Sequence, residues 1–370
     1  MSRPRPVRHD GCGPLPPGST IGIIGGGQLG RMLAMAAARL GYRTVILEPQ
    51  TDCPAAQVAN RQIVAAYDDP VALGQLAGCD VVTYEFENVP VGPLASLAGQ
   101  VPVCPPELAL QVAQDRLDEK GFINAVGIPT AGYRAVDSDD ELADALAAFG
   151  GSGVLKTRRL GYDGKGQRVF RGAAREDAAG ACAALGNVPL ILESLIPFER
   201  EISIIAARGR DGTVSCYDPA ENVHRDGILH TSTVPARITP SAADAARKAA
   251  TAILEGLSYV GVLGVEFFVL ADGNLLVNEI APRVHNSGHW TEAACAVSQF
   301  EQHIRAVAGL PLSDAARHSD CIMENLVGDD VSRFAELAAE PDVVIHLYGK
   351  VEARPGRKMG HFTRLISTSP

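Results

Sequence analysis

Residues 262–290, VLGVEFFVLADGNLLVNEIAPRVHNSGHW, place a glutamate on either side of a turn and follow them with a dense polar loop. Asp272-Gly273 lies between two apolar runs rich in β-branched residues, the sequence signal for a hairpin closed by a two-residue turn. Such a turn sets Glu266 directly opposite Glu279, with Cβ atoms about 4.5–5.5 Å apart. Two ionised carboxylates there repel, so the pair makes chemical sense if one takes up a proton or if a divalent cation lies between them. Hard oxygen ligands in a pair suit Mg²⁺, which keeps its other positions for water and substrate phosphate. The plainer reading is a Glu reaching solvent from the open face of an antiparallel sheet, which explains one such residue better than two in register.

At 370 residues the chain exceeds one ordinary core, and two or three domains are expected. An apolar fraction of 46% with 21% charged residues is that of a globular protein. Gly, Arg or Glu interrupts the most apolar segments well short of the ~20 residues of a membrane span. Residues 1–18 are proline-rich without a hydrophobic centre, so they read as a disordered tail and not as a signal peptide. Eight scattered cysteines without a C-x-x-C pair read as free thiols of a reducing, cytoplasmic compartment. The net charge of −10 argues against nucleic acid as a partner.

Upstream, the strand Thr20–Ile24 runs into Gly25-Gly26-Gly27-Gln28-Leu29-Gly30 and a helix, with Glu48 ending the next strand. This matches the dinucleotide fingerprint G-x-G-x-x-G with a ribose acceptor about 20 residues on. The same loop equally serves a single phosphate, or only the tight turn and close helix packing. A strand over 80–84 delivers Glu85-Phe86-Glu87-Asn88 to the carboxyl edge of a parallel sheet, where such sheets bind ligands and where a Glu is also at home in solvent. Further on, Lys156 precedes Gly161-Tyr162-Asp163-Gly164-Lys165-Gly166-Gln167, whose glycines can turn successive amides toward phosphate oxygens or simply close a hairpin. The loop lacks the G-K-[ST] ending of a P-loop. A run of Lys350, Arg354, Arg357 and Lys358 in an acidic protein looks like an anion site, or else a solvated turn.

In this order the elements resemble the ATP-grasp enzymes, and within them the N5-carboxyaminoimidazole ribonucleotide synthetases. The likeness covers about residues 19–363, carried by Gly27-Gln28-Leu29-Gly30-Arg31-Met32, Gly161–Gln167, Asp226-Gly227-Ile228-Leu229, Asn278–Trp290 and Arg354-Pro355-Gly356-Arg357-Lys358. It implies a mixed α/β and α+β chain: a Rossmann-like domain over 19–115, a small lid with its leading helix over 116–201, and a mixed-sheet domain over 202–370. It implies ATP held by Arg116, Lys156, the 161–167 loop, Glu193, Ser194, Leu195, Ile196, Glu201, His224, Asn278 and Glu279, with Mg²⁺ on Glu266 and Glu279. The implied substrate, 5-aminoimidazole ribonucleotide, meets Gln28, Leu29, Glu85, Tyr162, Asp163, Arg283, Arg357 and Lys358. Arg283, His285, Asn286 and Lys350 become the candidate catalytic groups, bicarbonate the second substrate, and a homodimer the expected assembly.

Two features depart from the pattern. Many ATP-grasp enzymes carry Asn two residues after the second metal Glu, where Ala281 stands here, and the family usually continues past the Gly360-His361 strand into a further helix. The competing expectations are a formate-dependent glycinamide ribonucleotide transformylase, a nicotinamide-dependent oxidoreductase, and an ATP-binding regulatory protein without catalysis.

Overall fold

The computed structural model describes residues 13–161 and 166–366. Among the described residues, three sheets carry the fold. The first is all parallel, with strands in the order Arg61–Ile63, Arg43–Leu47, Thr20–Ile24, Val81–Tyr84. The strands Thr20–Ile24 and Val81–Tyr84 are buried almost throughout, as the continuous apolar runs of a two-sided parallel sheet require. The second is antiparallel and small, ordered Tyr133–Val136, Leu190–Ser194, Gly153–Thr157, Gln167–Phe170. The third has nine antiparallel strands, with Phe198–Arg208 and the hairpin Gly261–Leu270/Leu275–Ala281 at one end and Lys358–Ile366 and Val343–Leu347 at the other.

The carboxylate hairpin differs from expectation in its turn. Its strands are joined by Ala271–Asn274, in which Gly273 N–H donates to Leu270 O at 2.9 Å and Gly273 takes φ +82°. Such a turn slips the register by one, pairing Val269 with Leu275 and Phe267 with Val277. One extra residue, Asn278, then bulges out and returns Glu266 to a position opposite Glu279. The predicted pairing therefore holds through two compensating irregularities.

The helix Arg116–Ala125, grouped with the small sheet in the sequence reading, sends Ile123 into the core of the large sheet. Asp115 caps it by accepting from Leu117 N–H at 3.0 Å. Past Trp290 the chain forms two helices, Thr291–Ala294 and Gln299–Ala308, the second starting where Ser298 caps it by accepting from Glu301 N–H. Residues 13–18 also depart from the expected tail: Leu15 is buried in the main core, its N–H donates to Ala308 O, and its carbonyl accepts from Tyr42. Residues 1–12 of that stretch lie outside the described residues, as do 162–165 and 367–370.

Candidate functional site

The three sheets meet around a cleft of about 630 Å³. On one wall, Glu266 and Glu279 stand in register, and the bulge turns Asn278 into the same cleft. Asn278 Oδ1 is enclosed with no hydrogen-bond partner, a third hard oxygen beside the two carboxylates. That donor set fits a divalent cation of the magnesium class, and it supplies the oxygen that Ala281 cannot. Burial and the charge of Glu279 hold the Glu266 carboxyl above its ordinary range. Burial acts on Glu279 in the same sense, but Arg116 and Lys156 overcome it and hold Glu279 down as the charged partner.

Cations line the second wall. Arg116 lies 3.0 Å from Glu279 Oε2 and reaches Gly161 O at 3.4 Å. Lys156, from the small sheet, pairs with Glu193 at 3.0 Å, and burial pulls its ammonium down in spite of that partner. Glu193 thus faces a lysine and is not among the cleft-lining residues, nor are Ser194, Leu195 and Ile196. Lys120, fully buried, also reaches Glu193 at 3.4 Å and donates to the carbonyl of Asn278 at 3.1 Å, tying the small sheet to the bulge. The sequence reading missed Lys120, although its position one helical turn after Arg116 places both on one face. Glu119, also missed, accepts from Ile280 N–H at 2.7 Å, and burial aided by the Glu279 charge lifts it to about 8 against Lys120. Glu201 and His224 line the cleft as a pair 2.6 Å apart.

On the third wall the glycine loop behaves unlike a dinucleotide site. The buried carboxylate of Glu85 accepts from the N–H groups of Gly27 and Gly30, so it occupies the helix N-terminus where a pyrophosphate would sit. Glu48 accepts from Gly26 N–H at 3.0 Å and from Tyr67 Oη–H at 2.6 Å, which turns it inward and away from a ribose. Gly27 is required here because an added Cβ would lie 2.7 Å from Glu85 Oε1. Both acids hold the loop, while Gln28 and Leu29 remain on the cleft surface.

The polar loop after the hairpin completes the site. Arg283 Nε donates at 2.5 Å to Glu87, in the loop after the strand Val81–Tyr84, a partner quoted in the sequence analysis without a role. His285 lies with Nε2 3.6 Å from Glu266 Oε1. Burial, reinforced by Arg283, pushes its ring down to about 3, so the imidazole is neutral. Asn286 presents both polar side-chain atoms enclosed and unpartnered in the cleft wall. Lys358 lines the cleft as well. Lys350 and Arg357 are not among the cleft-lining residues: Lys350 Nζ donates to Lys358 O at 2.8 Å and Arg357 donates to Glu352 O at 3.0 Å. Gly161, Gly166 and Gln167 border the cleft, whereas Tyr162, Asp163, Gly164 and Lys165 lie outside the described residues.

Known proteins share both sequence and architecture. Residues 19–114 match the ribonucleotide synthetase preATP-grasp domain, 121–300 the ATP-grasp domain, and 321–369 the phosphoribosylaminoimidazole carboxylase C-terminal domain. The N5-carboxyaminoimidazole ribonucleotide synthase of Brucella melitensis is 64% identical over 352 residues, covering 95% of this chain and 97% of the relative. The ADP complex of N5-carboxyaminoimidazole synthetase from Staphylococcus aureus superposes with a TM-score of 0.91 at 38% identity, covering 96% and 95% of the two chains. The Aspergillus clavatus enzyme, solved with ADP and 5-aminoimidazole ribonucleotide, gives 0.88 at 33% identity over 94% of each. With identity this high across nearly the full length, the chain belongs to the N5-carboxyaminoimidazole ribonucleotide synthase family of ATP-grasp ligases.

Proposed function

We propose that this chain carboxylates the exocyclic amine of 5-aminoimidazole ribonucleotide, using ATP and bicarbonate and releasing ADP and phosphate. The observation that carries the reading is the convergence on one cleft of Glu266, Glu279 and the orphaned Asn278 oxygen, opposite Arg116 and Lys156 and next to the Arg283–Asn286 loop. Bicarbonate oxygen attacks the γ-phosphorus, ADP leaves, and the resulting carboxyphosphate yields CO₂ and phosphate. The amine nitrogen then bonds to the carbon and gives up a proton. Glu266, Glu279 and Asn278 would hold Mg²⁺, which when bound neutralises phosphate charge during transfer.

The chain's own residues supply the rest. Arg116 and Lys156 each pair with a carboxylate and would exchange it for phosphate oxygens on nucleotide binding. Asn286 offers a donor and an acceptor already desolvated, so binding a polar substrate there satisfies groups that otherwise remain unpaired. The neutral ring of His285 adds no charge beside Arg283 and leaves a nitrogen free to accept or donate near Glu266. The 161–167 loop is proposed to cover the phosphates and keep water from the labile anhydride. Lys350, Arg357 and Lys358 are proposed to grip the substrate 5′-phosphate. Thiol-only cysteines among the described residues support a reducing cytoplasm. A homodimer is the assembly carried over from the family resemblance, and sedimentation velocity tests it.

The deciding experiment measures ADP release from ATP with and without bicarbonate and 5-aminoimidazole ribonucleotide. Release that requires bicarbonate, ignores formate and yields the carboxylated ribonucleotide supports the reading. Formate-dependent release would instead favour the transformylase. The oxidoreductase reading fails on the glycine loop, whose amides Glu85 and Glu48 already occupy.

A further inference from the structure

On the far side of the polar loop, three side chains converge that none of the chemistry above uses. The strands Val343–Leu347 and Lys358–Ile366 pair His346 directly with His361, and the two rings lie nearly parallel with centroids 5.4 Å apart. Glu292, in the helix Thr291–Ala294, reaches toward both: its Oε2 is 3.0 Å from His346 Nδ1 and 3.7 Å from His361 Nε2. One donor atom from each residue lies within 4.8 Å of the other two. Four-coordinate zinc with bonds of about 2.0–2.1 Å sets its ligand atoms roughly 3.3 Å apart, and the two measured edges straddle that separation.

Pairing among the three residues does not explain the arrangement. Glu292 Oε2 is enclosed yet has no hydrogen bond of acceptable direction, although two ring nitrogens stand beside it. The donor atoms therefore lie close together without being used up in hydrogen bonds to one another. An outer partner is also present, because His361 Nδ1 lies 2.9 Å from Tyr348 Oη, which orients the ring and leaves Nε2 for the ion. The His289 ring lies tilted against His361 with centroids 4.7 Å apart, its Nδ1 taken by Gln299. The Glu292 and His346 side chains are 25% and 14% exposed, which opens a side for entry and for a water ligand.

We propose that Glu292, His346 and His361 form a binding site for a zinc-class divalent ion, separate from the Glu266/Glu279 pair. Two imidazoles with one carboxylate suit such an ion far better than magnesium. Its position gives it a task. His346 and His361 lie on the two strands whose connection carries Lys350 and Arg357, and Glu292 follows the 283–289 loop in sequence. The ion staples the basic hairpin to that loop, so that two faces of the proposed substrate site keep one spacing.

The test titrates the full chain, stripped with a chelator, with Co²⁺ in excess Mg²⁺, following the visible absorption of four-coordinate cobalt. Wild type should take up a single equivalent that Zn²⁺ displaces, and Glu279→Gln should do the same. His346→Ala and Glu292→Gln should each lose the band, and Tyr348→Phe, which removes only the outer partner, should weaken binding about 10–100-fold. Zn²⁺ should raise the melting temperature of wild type and leave that of Glu292→Gln unmoved, and this variant carries the test if His346→Ala does not fold. No band in wild type, a band surviving in Glu292→Gln, or a band abolished by Glu279→Gln would each overturn the proposal. Because the readout needs neither ATP nor ribonucleotide, the site stands or falls independently of the proposed reaction.

Discussion

Glu266, Asn278 and Glu279 line one cleft, and the unequal charge states of the two carboxylates decide how a cation is received. Arg116 pairs with Glu279 and holds it charged, while burial and the charge of Glu279 raise the Glu266 carboxyl toward the neutral range. A cation must expel the proton held there, so Mg²⁺ affinity should fall as pH drops through the neutral range. Calorimetry in buffers of differing ionisation enthalpy should read proton release on Mg²⁺ binding, and Glu266→Gln should abolish it; an affinity indifferent to pH would contradict this. Glu279→Gln keeps side-chain volume and removes one anionic ligand. ATP turnover should drop by about 10²-fold or more, given the several kcal/mol that a bound metal supplies. Adding Glu266→Gln should cost little further, because ligands of one ion act as a unit. Near-normal ADP release by the double variant would sink the assignment.

The hairpin that bears these residues was legible as an element but not in its detail. Alternation and Asp272-Gly273 locate it, yet neither the longer turn nor the bulge at Asn278 has a sequence signature of its own. The strand Gly261–Leu270 also pairs with Phe198–Arg208 along nearly its full length, a long-range contact that no local pattern announces. The basic hairpin invites a sharper test. Burial, with Arg357 close by, pulls the Lys350 ammonium down to about 8. If Lys350 and Arg357 grip the substrate phosphate, the KM for 5-aminoimidazole ribonucleotide should rise as pH climbs through about 8, where free Lys350 loses its charge. Arg357→Ala should raise that KM by one to two orders of magnitude, about 1.5–3 kcal/mol for a charged hydrogen bond. The KM for ATP should stay put. Equal shifts in both constants would move the basic run into the nucleotide site.

Across the protein, the sheets are joined by buried charges and not only by apolar packing. Lys120 links Glu193 of the small sheet to the bulge of the large one, and Arg283, just past the large sheet's hairpin, reaches Glu87 in the loop after the parallel sheet's Val81–Tyr84 strand. The glycine loop joins the parallel sheet to the cleft with its amides already engaged, so NADH and NADPH should give no saturable change in intrinsic fluorescence at micromolar concentration. The segment 13–18 is a further clasp. A chain beginning at Ser19 lacks the buried Leu15 that one beginning at Gly13 retains. That loss should lower stability by about 2–5 kcal/mol, as for other buried leucines removed from a core. Equal melting temperatures for the two truncations would show the clasp to be idle.

The sequence by itself determined the α/β entry, the glutamate hairpin, the polar loop and the basic run. Each is written in local periodicity, turn residues and charge spacing, which neighbours in the chain suffice to express. Tertiary structure alone decided what those groups face. Glu85 and Glu48 turn inward onto glycine amides, Glu193 pairs with lysines, Leu15 enters the core, and Glu292 meets two histidines more than fifty residues away in sequence. The physical reason is that a buried charge or donor must find its partner wherever the packing brings one, and such partners lie beyond the reach of any local pattern.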